Sequence, residues 1–302
     1  MKALFNLQLM MFSLIVVGLL LKKKGIVGAG GQKNMTDLVI DVILPCNIIK
    51  SFMVDFSMDI MKSFAGIFII SVLIQILCVF LGKVLYNKTK ESRRKCLRYA
   101  TICSNAGFMG NPVAEGVFGS MGLTLASIYL IPLRIMMWSE GIAIFTDAPD
   151  KKALVKKVAT HPCIIACAIG IVLMLTGWRP PVFVTDVIGS LSGCNTAVSM
   201  MVIGMILADA DPRTIFDKEI LLYTLTRLGM IPLIVWVPCQ LLHVDALVTG
   251  VSVILAAMPA GATTSILASK YNGDAEFAVK LVVFSTAASL ISTPIWGMLL
   301  VS

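Results

Sequence analysis

The chain has 302 residues, 58% of them hydrophobic and 14% charged, with a mean hydropathy of +0.91 and a formal net charge of +8. Apolar runs long enough to cross the roughly 30 Å hydrocarbon core of a bilayer recur from end to end, which fits a polytopic helical membrane protein and excludes a soluble globular domain. The basic excess lies in short connections, which argues for orientation in a membrane and against binding of nucleic acid.

Ten spans are expected, at 3–21, 36–56, 63–85, 99–118, 123–145, 162–177, 184–208, 220–242, 246–269 and 277–301. The first follows Lys2, lacks a small-x-small cleavage site and ends in Lys22, Lys23 and Lys24, so it reads as a retained span and not a signal peptide. The connections leave no room for a nucleotide-binding domain, and no glycine-rich phosphate loop occurs, so any transport must draw on a gradient or a potential. Connections after odd-numbered spans hold 19 Lys and Arg, against three on the other side: Lys2, Lys62 and Arg179. The positive-inside rule therefore places both termini outside the cytoplasm. The basic run 88–98 reads as an orientation signal in contact with anionic lipid.

The second span carries Thr36-Asp37 and then Cys46-Asn47, and the seventh carries Thr185-Asp186 and then Cys194-Asn195. Pro112 in the fourth span and Pro259 in the ninth also sit at matching places. With five spans per unit, 1–160 and 161–302, the second unit enters the membrane from the opposite side, giving an inverted repeat. A proline inside a membrane-depth helix removes a donor and clashes with the preceding turn, so both helices are expected to break, which is tolerated only against protein or a cavity.

The fourth span reads Ser104-Asn105-Ala106-Gly107-Phe108-Met109-Gly110-Asn111-Pro112-Val113-Ala114-Glu115. Asn111 before Pro112 has the form of an N-cap followed by proline at the first helical position, so a half-helix is expected to start there, its N–H groups suited to an anion. Gly107 and Gly110 permit close approach, while Asn105 and Glu115 supply oxygens. The alternative is a kinked packing helix whose asparagines satisfy freed backbone groups. In the ninth span Pro259 and Gly261, with Thr263, Thr264 and Ser265 as oxygen donors, form the counterpart, with helix packing as the rival role.

Ionisable residues within spans, Asp41, Lys50, Glu115, Arg134, Glu140 and Arg227, are functional candidates because they are costly there. Arg134 could pair with Glu115 or Glu140, or grip a substrate carboxylate with its fork. Asp41, Lys50 and Arg227 could partly snorkel. Glu115, Arg134, Glu140 and Asp41 are therefore the candidates for ion coupling or charge balance. The eight cysteines have no Cys-x-x-Cys pair and read as packing residues, not metal ligands. His161 and His243 lie at span ends without partners in sequence, and neither is read as a zinc ligand or an acid–base group.

The run from Asn105 to Pro112, the segment Ile128-Tyr129-Leu130-Ile131-Pro132-Leu133-Arg134-Ile135-Met136-Met137-Trp138, and Met258-Pro259 leading to Lys270-Tyr271-Asn272-Gly273-Asp274-Ala275-Glu276 resemble the auxin efflux carrier family, most closely its bacterial malate-permease-like members. The resemblance covers essentially the whole chain. It implies an all-α fold of ten transmembrane helices in two inverted five-helix repeats, with broken helices 4 and 9 crossing, as in bile-acid sodium symporters. It further implies a scaffold of helices one, two, six and seven and an elevator-like movement that carries a small organic anion. The family's asparagine of the fourth helix falls on Asn105 and its crossing prolines on Pro112 and Pro259. Many relatives carry an asparagine shortly after the second proline, where this chain has Thr263.

The expected function is thus secondary transport of a small organic anion such as a malate-like or auxin-like carboxylate across the cell membrane. The expected substrate-binding residues are Asn105, Gly107, Gly110, Asn111, Pro112, Pro259, Gly261, Thr263 and Thr264. No cofactor is expected beyond coupling to a proton or sodium, and the resemblance allows a homodimer. The alternative is a cation/proton antiporter using Glu115 and Asp41. A membrane receptor without flux is a further class, disfavoured by the lack of a sizeable extramembrane domain.

Overall fold

The computed structural model describes residues 2–53, 57–145, 151–208, 217–271 and 273–301. The described residues are overwhelmingly helical. Helix α1 (Lys2–Lys23) leads to α2 (Ala29–Leu38) and α3 (Leu44–Ser51), then α4 (Met58–Leu85) and α5 (Glu91–Ile102). Next come α6 (Asn111–Trp138), α7 (Glu140–Ala143), α8 (Lys151–Ala159), α9 (Pro162–Thr176), α10 (Val182–Gly193) and α11 (Asn195–Ala208). The chain ends with α12 (Lys218–Leu225), α13 (Ile231–Leu241), α14 (Ala246–Ala256), α15 (Thr263–Lys270) and α16 (Ala275–Val301). Among the described residues, five stretches are long and apolar enough to cross a bilayer: Met58–Leu85, Ala106–Met137, Val182–Ala208, Lys218–Leu241 and Ala275–Leu300. Helix α4 turns Ile69, Leu73, Ile76 and Phe80 outward, an apolar face suited to lipid.

Among the described residues, three helices widen into a π-turn just before a proline: Val39–Ile43 before Pro45, Ala106–Gly110 before Pro112, and Thr226–Met230 before Pro232. Each proline ring would collide with the carbonyl four residues back, which lies inside the π-turn, and the wider turn makes room for it. At Pro232 the freed carbonyl is that of Leu228, which accepts the Trp296 indole N–H at 2.8 Å. Polar backbone released at membrane depth has thus been recaptured by a side chain from another helix.

Within α6 the chain reverses at Gly119, whose φ of 70° lies in the left-handed region open to glycine. A methyl at Gly122 would stand 2.5 Å from the Ala114 carbonyl oxygen, a position that eight residues of straight helix, about 12 Å of rise, could not produce. Elsewhere α1 lies directly on α11. A methyl at Gly18 would overlap the Met201 carbonyl, and one at Gly204 would overlap the Ile15 carbonyl, so the two backbones touch through reciprocal glycines.

Two interruptions of helix set the centre of the molecule. After α5 ends at Ile102, residues 103–105 are non-helical; after α14 ends at Ala256, the chain runs through 257–262 before α15 begins. The two interruptions meet in an antiparallel bridge between Ser104 and Ala260. There the Asn105 N–H donates to the Pro259 carbonyl at 2.7 Å and the Gly261 N–H to the Cys103 carbonyl at 3.4 Å.

Candidate functional site

Beside this bridge lies a cavity of about 280 Å³, bordered by Ser104, Asn105, Gly107, Arg134, His161, Gly261 and Thr263. Its remaining wall is largely aliphatic and aromatic: Ile40, Leu44, Phe108, Leu130, Leu133, Met137, Val202, Ile206 and Ile266. A small, mostly apolar pocket with a few convergent polar groups is the form a small-molecule site takes. Ser104, Asn105, His161 and Thr263 are each positioned by a break or a helix end, whereas Arg134 projects from within α6. Asn105 precedes the π-turn 106–110, and its carbonyl holds the N–H groups of Met109 and Gly110 at 3.0 and 3.3 Å, while its side chain makes no capping bond. Thr263 opens α15, whose N-terminus carries the partial positive charge of a helix start. Ser104 Oγ is buried without a hydrogen-bond partner. Gly261 stays close to the Cys103 carbonyl, where a methyl would stand 3.2 Å away.

Arg134 dominates the electrostatics. Its side chain is only 5% exposed, it forms no ion pair among the described residues, and Nη1 has no hydrogen-bond partner. Both carboxylates that the sequence offers it are engaged elsewhere. Glu140 stands 3.9 Å from Lys83 and from Arg98, and Glu115 accepts a bond from Asn47 Nδ2 at 3.1 Å. Gly107 keeps the guanidinium approachable, since a methyl there would lie 3.6 Å from Nη2. A buried guanidinium without a counter-charge, in a cavity lined by no carboxylate among the described residues, is suited to an anion, and most of all to a planar carboxylate.

The other sequence candidates lie away from the cavity. Asn111 is not a cap: its backbone is helical, with φ −58° and ψ −51°, because helical winding has already begun at Ala106, and its fully buried amide has no hydrogen-bond partner. Gly110 serves packing, since a methyl there would stand 2.6 Å from Leu255 Cδ2. Pro112 is buried beside it, and Pro259 contributes its carbonyl to the bridge. Thr264 is fully buried with Oγ1 unpartnered. Asp41, in the π-turn Val39–Ile43, and Lys50, in α3, are exposed and do not border the cavity.

Two residues gain importance from the structure. Arg227 does not snorkel; at 1% exposure it donates from Nε to the Met258 carbonyl at 3.0 Å and from Nη1 to the Thr101 carbonyl at 3.2 Å and to Cys78 Sγ at 3.4 Å. It thereby holds the ends of both interruptions, whose carbonyls lack helical partners. His161 borders the cavity as the N-cap of α9, its Nδ1 accepting the Cys163 N–H at 3.2 Å. Burial, and then the charge of Arg134, push its imidazole down to about 4. The His161-Pro162 pair, a cap before proline at N1, was the available signal that this histidine stands at a helix start.

A family model described as membrane transport protein matches residues 4–158 and 150–297. The chain is 26% identical over 300 residues to an uncharacterized transporter of Methanothermobacter thermautotrophicus, covering 95% of each chain. It is 24% identical over 308 residues to an uncharacterized transporter of Methanocaldococcus jannaschii, covering 98% of this chain and 99% of the relative. It is also 25% identical over 207 residues, 63% of each chain, to an uncharacterized transporter of Escherichia coli.

Proposed function

Because the chain belongs to the membrane transport protein family, that of the auxin efflux carriers, and is a multi-pass membrane transporter and not an enzyme, we propose that it is a secondary carrier of a small organic anion bearing a carboxylate. The substrate binds in the cavity beside the Ser104–Ala260 bridge. Arg134 holds the carboxylate; Asn105, Ser104 and Thr263 donate hydrogen bonds; the α15 N-terminus adds partial positive charge. The observation that carries this reading is Arg134, buried, unpaired among the described residues and bordering the cavity.

The architecture that accommodates it has ten spans in two inverted five-helix repeats, 1–160 and 161–302, whose interrupted fourth and ninth spans cross at the bridge. The protein sits in the cell membrane with both termini outside the cytoplasm, as the charge asymmetry supports. It works as a carrier driven by a gradient, alone or as a homodimer. The cation/proton antiporter reading is less well supported, because Glu115 is bonded to Asn47, Asp41 is exposed, and neither borders the cavity.

The test is thermal stabilisation of the purified protein by mono- and dicarboxylates, followed by carboxylate uptake into proteoliposomes. Arg134→Gln is expected to lose the stabilisation and the uptake while inserting normally. Parental uptake by Arg134→Gln would overturn the assignment, and a response to sodium or pH alone that disappears in Glu115→Gln would favour the antiporter.

A further inference from the structure

Resting on the carboxylate reading of the cavity, we infer that His161 is a binding residue of the same site, donating a hydrogen bond as a neutral imidazole, and that the site selects a monoanion with an apolar body over a dianion.

The argument begins with the start of α9. Cys163 donates its N–H to His161 Nδ1, so Nδ1 bears no proton and the ring proton sits on Nε2. The His161 carbonyl takes the N–H groups of Ile164 and Ile165 at 2.8 and 3.1 Å, and Pro162 has none to give. The first turn of α9 therefore offers a ligand no free backbone donor, only its partial positive charge. The Nε2–H of His161 makes no hydrogen bond among the described residues. It is the donor left at this border of the cavity, and the buried Arg134, whose Nη1 has no hydrogen-bond partner, borders the same space.

Charge sets the selectivity. Arg134 is the one formally charged side chain bordering the cavity among the described residues. One carboxylate neutralises it. A second would lie without a counter-charge against Ile40, Leu44, Leu130 and Leu133, and an uncompensated buried charge is strongly unfavourable. His161 cannot supply the missing charge without giving up its bond to Cys163, because an imidazolium has no acceptor nitrogen. An apolar chain or ring, in contrast, fits the aliphatic wall.

The experiment compares butyrate with succinate, equal in carbon number but differing by one carboxylate, at neutral pH, by titration calorimetry on the purified protein. The variants are His161→Ser and Arg134→Gln. Serine keeps an N-cap oxygen for α9 and removes the imidazole donor. The expected result is tighter binding of butyrate than of succinate by the parent, and about tenfold weaker butyrate binding by His161→Ser, with an unliganded melting temperature at neutral pH close to the parent's. Unchanged butyrate affinity in His161→Ser would reduce His161 to a helix cap. Succinate binding as tight as butyrate or tighter would overturn the monoanion selectivity while leaving the carboxylate site intact. Absence of binding by the parent, or parental binding by Arg134→Gln, would instead overturn the carboxylate reading and this inference with it.

Discussion

Arg134 and Arg227 are both arginines in apolar spans, both almost wholly buried, yet their donors go to different places. Arg227 directs its guanidinium to backbone carbonyls at the two helix interruptions, whereas Arg134 keeps Nη1 unpartnered beside a cavity. The two substitutions should therefore separate. Arg227→Met removes the charge but strands the carbonyls of Thr101 and Met258, each costing about 1–3 kcal/mol when left unpaired, so a clear fall in thermal stability is expected with or without substrate. Arg134→Gln should leave the unliganded melting temperature near the parent's and abolish stabilisation by carboxylate. His161 gives a pH signature of its own. Its folded value of about 4 lies below its ordinary value of 6.5. The unfolded chain therefore binds the proton more readily, and this residue's contribution favours folding above pH 6.5 and is lost as pH falls toward 4. Thermal melts of parent and His161→Ser, close at neutral pH, should diverge as pH falls through that window, the parent losing more stability, and equal slopes would refute the assignment.

The elements explain why some candidates were legible and others were not. Asn105, Gly107, Gly261 and Thr263 could be read because small and amide-bearing residues flanking an intramembrane proline belong to interrupted helices. Asn111 and Thr264 could not be placed by the same logic. Helical winding begins at Ala106, five residues before the Asn-Pro pair, so Asn111 is already inside the helix where its sequence suggested a start, and the full burial of Asn111 and Thr264 depends on neighbouring helices that local sequence does not encode. His161 escaped because its role depends on the packing of α9 beside α6, which local sequence does not encode. The α1–α11 contact is also invisible in a hydropathy pattern, yet it rests on two glycines whose absent side chains let the backbones touch. Gly18→Ala and Gly204→Ala should each cost about 1–3 kcal/mol by overpacking, with the double variant less than additive because both substitutions force the same pair of helices apart. Additive losses measured by thermal denaturation would mean that the two glycines act at independent contacts.

For the whole molecule, the long apolar helices were readable from composition, since a bilayer imposes their length directly. The route by which a substrate reaches the cavity was not, because it depends on which surfaces remain apart once the helices have packed. A second recess of about 520 Å³, bordered by Lys22, Gln32, Lys33, Asp37, Ser265 and Val279 among others, shares Thr36, Ile206, Ala262 and Ile266 with the cavity. The two spaces are thus separated by a thin partition of short or aliphatic side chains. The recess lies at the end of α1 where lysines cluster, which the positive-inside rule assigns to the cytoplasm. On the proposed orientation, Lys22 and Lys33, set against the one carboxylate of Asp37, would favour anion entry from that side. If this conformer opens inward, Ser265→Cys in membrane vesicles should be modified by a membrane-impermeant thiol reagent applied to the cytoplasmic face, read by mass spectrometry at position 265 against the native cysteines. Substrate held behind the partition would leave that modification largely unchanged, whereas Ile206→Trp, which thickens the partition, should slow uptake while retaining calorimetric binding of butyrate. Modification from the external face alone would reverse the assigned orientation, and normal uptake by Ile206→Trp would show that the substrate takes another path.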